Sequence, residues 1–381
     1  MNRRRFLTLG AATLATLLLP PDLHGQVIRE RNGVWTIKRD WDIAEAKKYG
    51  EWFHHIYQTK KNGNWLARGA KIPHILQSKE MNLLLDEKFS SDNNAFPTGA
   101  IQALNSACHC GSFPFLMHLY YSAVRGLPAI YSQVDGPGDI RYSRGNHPIG
   151  HHSPLEFDGG LESFINAAFL SSRGGNNFTT GNVRTAPDLE KTDTVPVRID
   201  RVNAIPGLGI LYNPDGHCLA LAGVKDNGDT AILDAHPDHS ITSAQNLASL
   251  MPVTGSAGSS RKSWYAGFRM IRLSKLETND KGDILGIRMR TNKEMEKFGY
   301  SIEQYLDIIK IANGEEVEIR GAKKRFAHFP SYAQDRLRLE TNQSPYRAIH
   351  DLGEQLERMF QERERFVQDS WKYVLTHGAI T

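Results

Sequence analysis

The sequence predicts an α+β fold, on three observations. Apolar residues recur at helical spacing between Asp42 and Lys60, strand-like runs crowd the stretch from about 195 to 290, and helical patterning returns beyond 296. The order along the chain is helix, then strands, then helices, which suggests an α+β domain with a helical C-terminal extension.

The first helix rests on Ala46, Tyr49, Trp52, Phe53, Ile56 and Tyr57, which fall on one face at 3.6 residues per turn. A second helix is expected from Ser112 to Arg125, stopped by Gly126 and Pro128. Residues 132–160 are rich in Gly, Pro, Ser and His, and 171–187 are similar. The interval 132–195 therefore reads as a loop-rich insertion. Strands are expected around 195–202, 208–212, 217–224, 230–234, 264–273 and 284–290. In the tail, Ser301-Ile302-Glu303-Gln304 has the form of a capping box. Ser344-Pro345 then opens an amphipathic run whose stripe is Ile349, Leu352, Leu356, Met359, Phe366 and Val374, expected to pack against the domain.

Residues 1–25 read as a targeting segment rather than part of the fold. Arg3, Arg4 and Arg5 precede an uncharged stretch from Leu9 to Leu19 and a polar exit at Pro20-Pro21-Asp22. That apolar core is too short to span a bilayer as a mature helix. The run Arg3-Arg4-Arg5-Phe6-Leu7 resembles the twin-arginine export motif. Export to the periplasm or the medium, with no stable membrane span after signal removal, is the expectation. Cleavage takes away three Arg and one Asp and lowers the net charge from +4 to +2. With basic and acidic residues so evenly mixed, nucleic acid is not an expected partner.

Three cysteines, Cys108, Cys110 and Cys218, leave at least one thiol without an intrachain partner. In an oxidising compartment an unpaired thiol is a liability, so its presence calls for a reason. Cys110 stands at the expected start of the second helix. There the positive end of the helix dipole and free N–H groups favour thiolate, and the same N–H groups can hold an oxyanion. A Cys nucleophile needs a base and an orienting group. His217 opens the apolar run Cys218–Val224, Asn227-Gly228 signals a hairpin turn, and the return strand Thr230–Leu233 ends at Asp234.

The sequence from Cys110 to the helix end Gly126-Leu127-Pro128-Ala129 resembles the nucleophile helix of papain-like and transglutaminase-like cysteine enzymes. The layout of His, strand, turn, strand and Asp resembles the way that superfamily carries its base and orienter. The resemblance implies a papain-like or transglutaminase-like core within 26–295, with the Cys on a helix N-terminus and His and Asp on adjacent antiparallel strands. Residues 296–381 then form a helical C-terminal extension. It further implies catalytic roles for Cys110, His217 and Asp234 in acyl transfer on peptide or cell-wall amides, by a chemistry that needs neither cofactor nor metal.

Strand register complicates the third residue. A two-residue Asn227-Gly228 turn would set Asp234 opposite Leu221 and His217 opposite Asp238. His217 and Asp234 would then lie four residues apart, roughly 13 Å by strand rise. A bulge or a longer loop must close the gap if Asp234 is the orienter, and Asp238 is the alternative. Gln102 or Asn105, upstream of the nucleophile, is an oxyanion candidate beside the Cys110 N–H, with Gln102 taken first. Two other readings compete: a non-catalytic binding or assembly protein on the same fold, and a metal-dependent hydrolase using His147, His151, His152, His236 and His239.

Overall fold

The helical spacing after Asp42 becomes α1 (Ile43–Asn62), and Ala46, Tyr49, Trp52, Phe53, Ile56 and Tyr57 are all buried. This is a computed structural model; it describes residues 28–62, 70–134, 148–170, 192–212, 217–245 and 267–339, with a few helical positions between 349 and 371. The expected signal segment, the stretch 171–187 and most of the tail stripe lie outside the described residues.

Three further helices precede the first strand: α2 (Ile72–Leu76), α3 (Thr98–Ser106) and α4 (Phe113–Arg125). Helix α4 is buried along its whole length, which suits its near-continuous apolar sequence. It ends where the sequence places its stop. Gly126 takes the left-handed conformation (φ 67°), and Leu127 N–H bonds back to Ser122 O at 2.8 Å. A Cβ at 126 would also sit 2.9 Å from Thr36 O, so glycine is required there on two counts. The indoles of Trp35 and Trp41 donate to Leu127 O (2.9 Å) and Pro128 O (3.0 Å), holding the chain as it leaves the helix. Trp41 also stacks on His118 and Tyr121 in an aromatic cluster shared with Tyr49 and Trp52 of α1.

Strands β1 (Tyr131–Val134) and β2 (Pro148–His152) pair antiparallel, followed by the short helix α5 (Leu161–Ile165). This corrects part of the irregular insertion expected over 132–195. Tyr131↔His152 and Ser132↔His151 are paired, so two of the clustered histidines belong to a strand. The signal was weak because β2 is five residues long and lies inside a Gly- and Pro-rich stretch.

The main sheet has six antiparallel strands in the order β3-β8-β4-β5-β6-β7. They are β3 (Thr194–Pro196), β4 (Gly209–Tyr212), β5 (Cys218–Val224), β6 (Thr230–Ala235), β7 (Ile241–Gln245) and β8 (Gly267–Ile271). Strand β5 is central and buried on both faces, which is why it reads as an unbroken apolar run. Helices α1 and α4 both pack against it. Strands β9 (Ser274–Thr278) and β10 (Ile284–Met289) form a separate hairpin, and α6 (Asn292–Met295) follows with Thr291 and Glu294 as a capping box.

The region beyond 296 is not wholly helical. Helix α7 (Glu303–Ala312) is followed by a hairpin of β11 (Val317–Ile319) and β12 (Ala322–Lys324), then α8 (Phe329–Leu337). Arg320 and Gly321 turn that hairpin with positive φ at both positions, the backbone of a tight two-residue turn. At the expected box the Ser301 Oγ accepts from Glu303 N–H at 3.1 Å at the start of α7, but the box is not closed, because Gln304 turns inward. It donates to Val197 O and Phe268 O and accepts from Phe268 N–H, sealing the β3–β8 edge. Helix α8 packs on the β5–β6 turn, where Leu339 N–H meets Asp226 O at 2.8 Å. The molecule is thus mixed α/β with antiparallel sheets, and no helix among the described residues is long and apolar enough to cross a membrane.

Candidate active site

The turn between α3 and α4 carries Cys108, His109 and Cys110. Phe113 N–H bonds to His109 O at 2.9 Å, so the helical pattern of α4 begins in effect at the residue before Cys110. Ser112 clamps the turn. Its Oγ accepts from His109 N–H (3.0 Å) and donates to Ala107 O (2.5 Å). No disulfide joins the three cysteines; Cys108 and Cys218 are buried and Cys110 is half-buried.

Strand β5 begins immediately after His217, and β6 carries Asp234 in its last turn of pairing. The β5–β6 hairpin departs from the two-residue turn in two places. Lys225 N–H bonds to Asp229 O, which makes the loop one residue longer. The register then slips again between Leu221 and Gly223 at a bulge. Continuing from the pair Ala220↔Leu233, Asp234 falls level with Leu219 instead of Leu221. Two residues now separate it from His217 along the strand, on the same face, within diagonal side-chain reach. The bulge sits where α1 crosses. His54 donates from Nδ1 to Ala222 O at 2.6 Å, and a Cβ at 223 would lie 2.7 Å from that nitrogen.

Through that slip the His217 Nε2 lies 3.0 Å from the Asp234 carboxylate. With Nε2 so engaged, Nδ1 is the nitrogen left to meet the Cys110 thiol. Asp238, the alternative by naive register, is an exposed turn residue whose Oδ1 accepts from Ser240 N–H and Oγ–H at 3.0 and 2.6 Å.

The electrostatics of the three groups are coupled. Burial alone would raise the Cys110 thiol. Hydrogen bonds from the His109 and His217 side chains, the charge on His217 and the Cys218 N–H outweigh it and bring the thiol down to about 5. His217 is pushed up to about 10 by its hydrogen bond to Asp234 and by Cys110, against burial. Between those values the stable form of the pair is thiolate and imidazolium. Cys108 is the opposite case: burial, with Cys110 and Asp238 nearby, pushes its thiol up to about 12.

Cys110, His217 and Asp234 are therefore brought together. Gln102 is not: its side chain is exposed on α3. The Asn105 Oδ1 is buried and, among the described residues, without a partner. Two residues outside the expected set belong to the neighbourhood. The His109 side chain contributes to lowering the Cys110 thiol. His239, in the β6–β7 turn with φ 64°, donates from Nδ1 to Cys108 O at 2.7 Å and ties that turn to the nucleophile loop. His109 had a sequence signal in its position beside Cys110. His239 figures only as a ligand in the metal-dependent reading; its bond to Cys108 O had no sequence signal, because that partner lies on another element. His236 bonds Thr242 Oγ1 at 2.7 Å, and His147 lies outside the described residues. Among the described residues no group of three or more His, Cys, Asp or Glu is placed to hold a metal ion. No protein family, curated protein or solved structure matches this chain.

Proposed function

We propose that the protein is an exported cysteine-dependent acyl-transfer enzyme on a papain-like core, acting on amide bonds of peptide or cell-wall substrates. The observation that supports this most is the ordering of the three groups: a thiol lowered to about 5, beside a histidine raised to about 10, behind which lies a carboxylate at 3.0 Å. A buried, inert cysteine behaves as Cys108 does, with its thiol near 12. The non-catalytic reading has no comparable account of why one of two neighbouring thiols is ionised.

In this mechanism the Cys110 thiolate attacks the amide carbon, and the carbonyl electrons move to oxygen as the S–C bond forms. The backbone N–H of Cys110 is the first donor to that oxyanion. As the C–N bond breaks, His217 gives its Nδ1 proton to the departing amine, leaving an acyl-enzyme. His217 then takes a proton from water as the water attacks the thioester, which regenerates the thiolate and releases the acid. An amine in place of water gives transfer. Asp234 holds the ring by Nε2 throughout and favours its charged form.

Iodoacetamide labelling across pH, with mass analysis of the modified cysteine, tests the reading. Cys110 is expected to be the modified residue, with a rate that rises through about pH 5. A midpoint near 9, the ordinary thiol value, refutes it.

A further inference from the structure

Strand β6 and the turn that follows it reach both partners of the site. Asp234 lies near the end of β6 and bonds the His217 ring at 3.0 Å. Pairing continues tightly past it, through Asp234↔Thr242 and Ala235↔Ile241 to the bond from His236 N–H to Ser240 O at 2.8 Å. That leaves Pro237, Asp238 and His239 as a three-residue hairpin loop, with His239 N–H closing a β-turn on His236 O at 2.9 Å. The last residue of such a loop takes the left-handed conformation, a place that favours glycine. Here it is His239, at φ 64°. A non-glycine residue in that region carries backbone strain, and its presence there calls for a reason beyond the turn itself.

The three carbonyls ahead of Cys110 are each met by a donor: Ala107 O by the Ser112 hydroxyl at 2.5 Å, His109 O by Phe113 N–H at 2.9 Å, and Cys108 O by His239 Nδ1–H at 2.7 Å. The first two donors belong to the start of α4 itself, whereas the third comes from the main sheet, 131 residues away. A carbonyl can only accept, so the His239 Nδ1 carries a proton, and it keeps that proton whether Nε2 is protonated or not. One hairpin end therefore grips the base through Asp234 and the nucleophile turn through His239. We propose that His239 is a positioning residue, which fixes the Cys110 sulfur relative to the His217 ring by holding the Cys108 carbonyl to the strand end that carries Asp234. This rests on the acyl-transfer reading of the site. His239 acts through the nucleophile turn and not on the substrate.

Two substitutions separate the bond from the turn. His239→Gly adopts the left-handed backbone without strain and removes the donor. His239→Asn tolerates the same backbone and keeps an N–H donor where Nδ1 stands. The full chain is assayed with two small electrophiles, well below the melting temperature of each variant. Iodoacetamide reports the thiolate by alkylation. The ester p-nitrophenyl acetate reports acylation, in which the Cys110 sulfur takes the acetyl group and nitrophenolate leaves.

For His239→Gly the alkylation midpoint of Cys110 is expected to rise by about one pH unit, as the sulfur loses its place beside His217. Acylation on the thiolate plateau is expected to fall by about 10- to 100-fold, the cost of a misplaced nucleophile. His239→Asn is expected to restore the parent's midpoint and most of its acylation rate. A change in either reading that His239→Asn reverses sustains the proposal. If His239→Gly matches the parent in both assays, or if His239→Asn loses as much as His239→Gly, the proposal fails. If His239→Gly does not fold, or melts lower with both readings unchanged, the bond is a brace of the fold and the proposal also fails. The acyl-transfer reading fails separately: the parent then releases nitrophenolate no faster than a free thiol does, while the alkylation midpoints still report the His239 bond.

Discussion

The two ends of α4 treat charge in opposite ways. At the C-terminal end Arg125 is nearly fully buried, and its guanidinium meets Glu45 at 2.8 and 3.2 Å, Asp92 at 3.0 Å, Asn93 at 3.3 Å and the Ser90 hydroxyl. The last carbonyls are used as well: Asn94 donates from its side chain to Ala123 O and from its backbone to Val124 O. At the N-terminal end Cys110 is half-buried, and its thiol is held low by the neighbouring His109, by His217 and by the Cys218 N–H. One end neutralises its charge inside the fold. The other leaves its lowered thiol only half-buried. A buried ion is tolerable only when its partners are complete, whereas a nucleophile must keep a lone pair uncommitted. The contrast between Cys108 and Cys110 repeats this within two residues.

The largest effect expected is at the open end. Cys110→Ser should abolish iodoacetamide labelling and lower any acyl-transfer rate by about 10⁴-fold or more, while the unfolding midpoint hardly moves. A labelled Cys110→Ser protein would place the reactive thiol elsewhere and break the comparison. At the closed end Arg125→Met leaves Glu45 without its main cation in a buried position, and about 3–5 kcal/mol of stability should be lost in urea unfolding. The labelling midpoint of the folded variant should stay where it was, because the ends are separated by 13 residues of helix, about 20 Å.

Asp234→Asn sharpens the open end. His217 loses the partner that raises it most, so its value falls from about 10 and the thiolate-imidazolium window narrows from the alkaline side. A raised histidine contributes stability below its unfolded value, near 6.5, and that contribution is lost as pH rises through about 10. The parent's advantage in unfolding midpoint over Asp234→Asn should therefore be full at pH 6 and fade at alkaline pH. An advantage that grows with pH contradicts the assigned pairing. The smallest effect is at Gly126. Gly126→Ala places a Cβ at positive φ and 2.9 Å from Thr36 O, at a cost of about 1–3 kcal/mol, read as a lower melting temperature with unchanged labelling.

Helices α1 and α4 were legible because their signals are local: apolar spacing in α1, and in α4 an uninterrupted apolar run with Gly126 as its stop. The β5–β6 hairpin was legible as a hairpin and misread in register. Asn227-Gly228 does mark the turn, but the loop is one residue longer and the bulge near Gly223 adds a further slip. That bulge lies under His54, which approaches from α1 well over a hundred residues away, so no pattern within the hairpin announces it. Strand β7 and the β11–β12 hairpin were missed for a related reason. Short strands take their pairing from neighbours rather than from their own propensity. The exposure of Gln102 likewise follows from how α3 is turned, which a single amide in a nine-residue helix does not reveal.

By itself the sequence determined the class of the fold, the place of Cys110 just ahead of α4, the stop at Gly126 and the presence of a His–strand–turn–strand–Asp hairpin. These depend on residue type and spacing within one element or one turn. Only the tertiary structure decided that Asp234 and not Asp238 stands beside His217, and that His109 and His239 lie in its neighbourhood. Each of these depends on distances between elements far apart in sequence. A hydrogen bond or a shifted pKa changes over one or two ångströms, and a local pattern does not constrain positions between elements that closely.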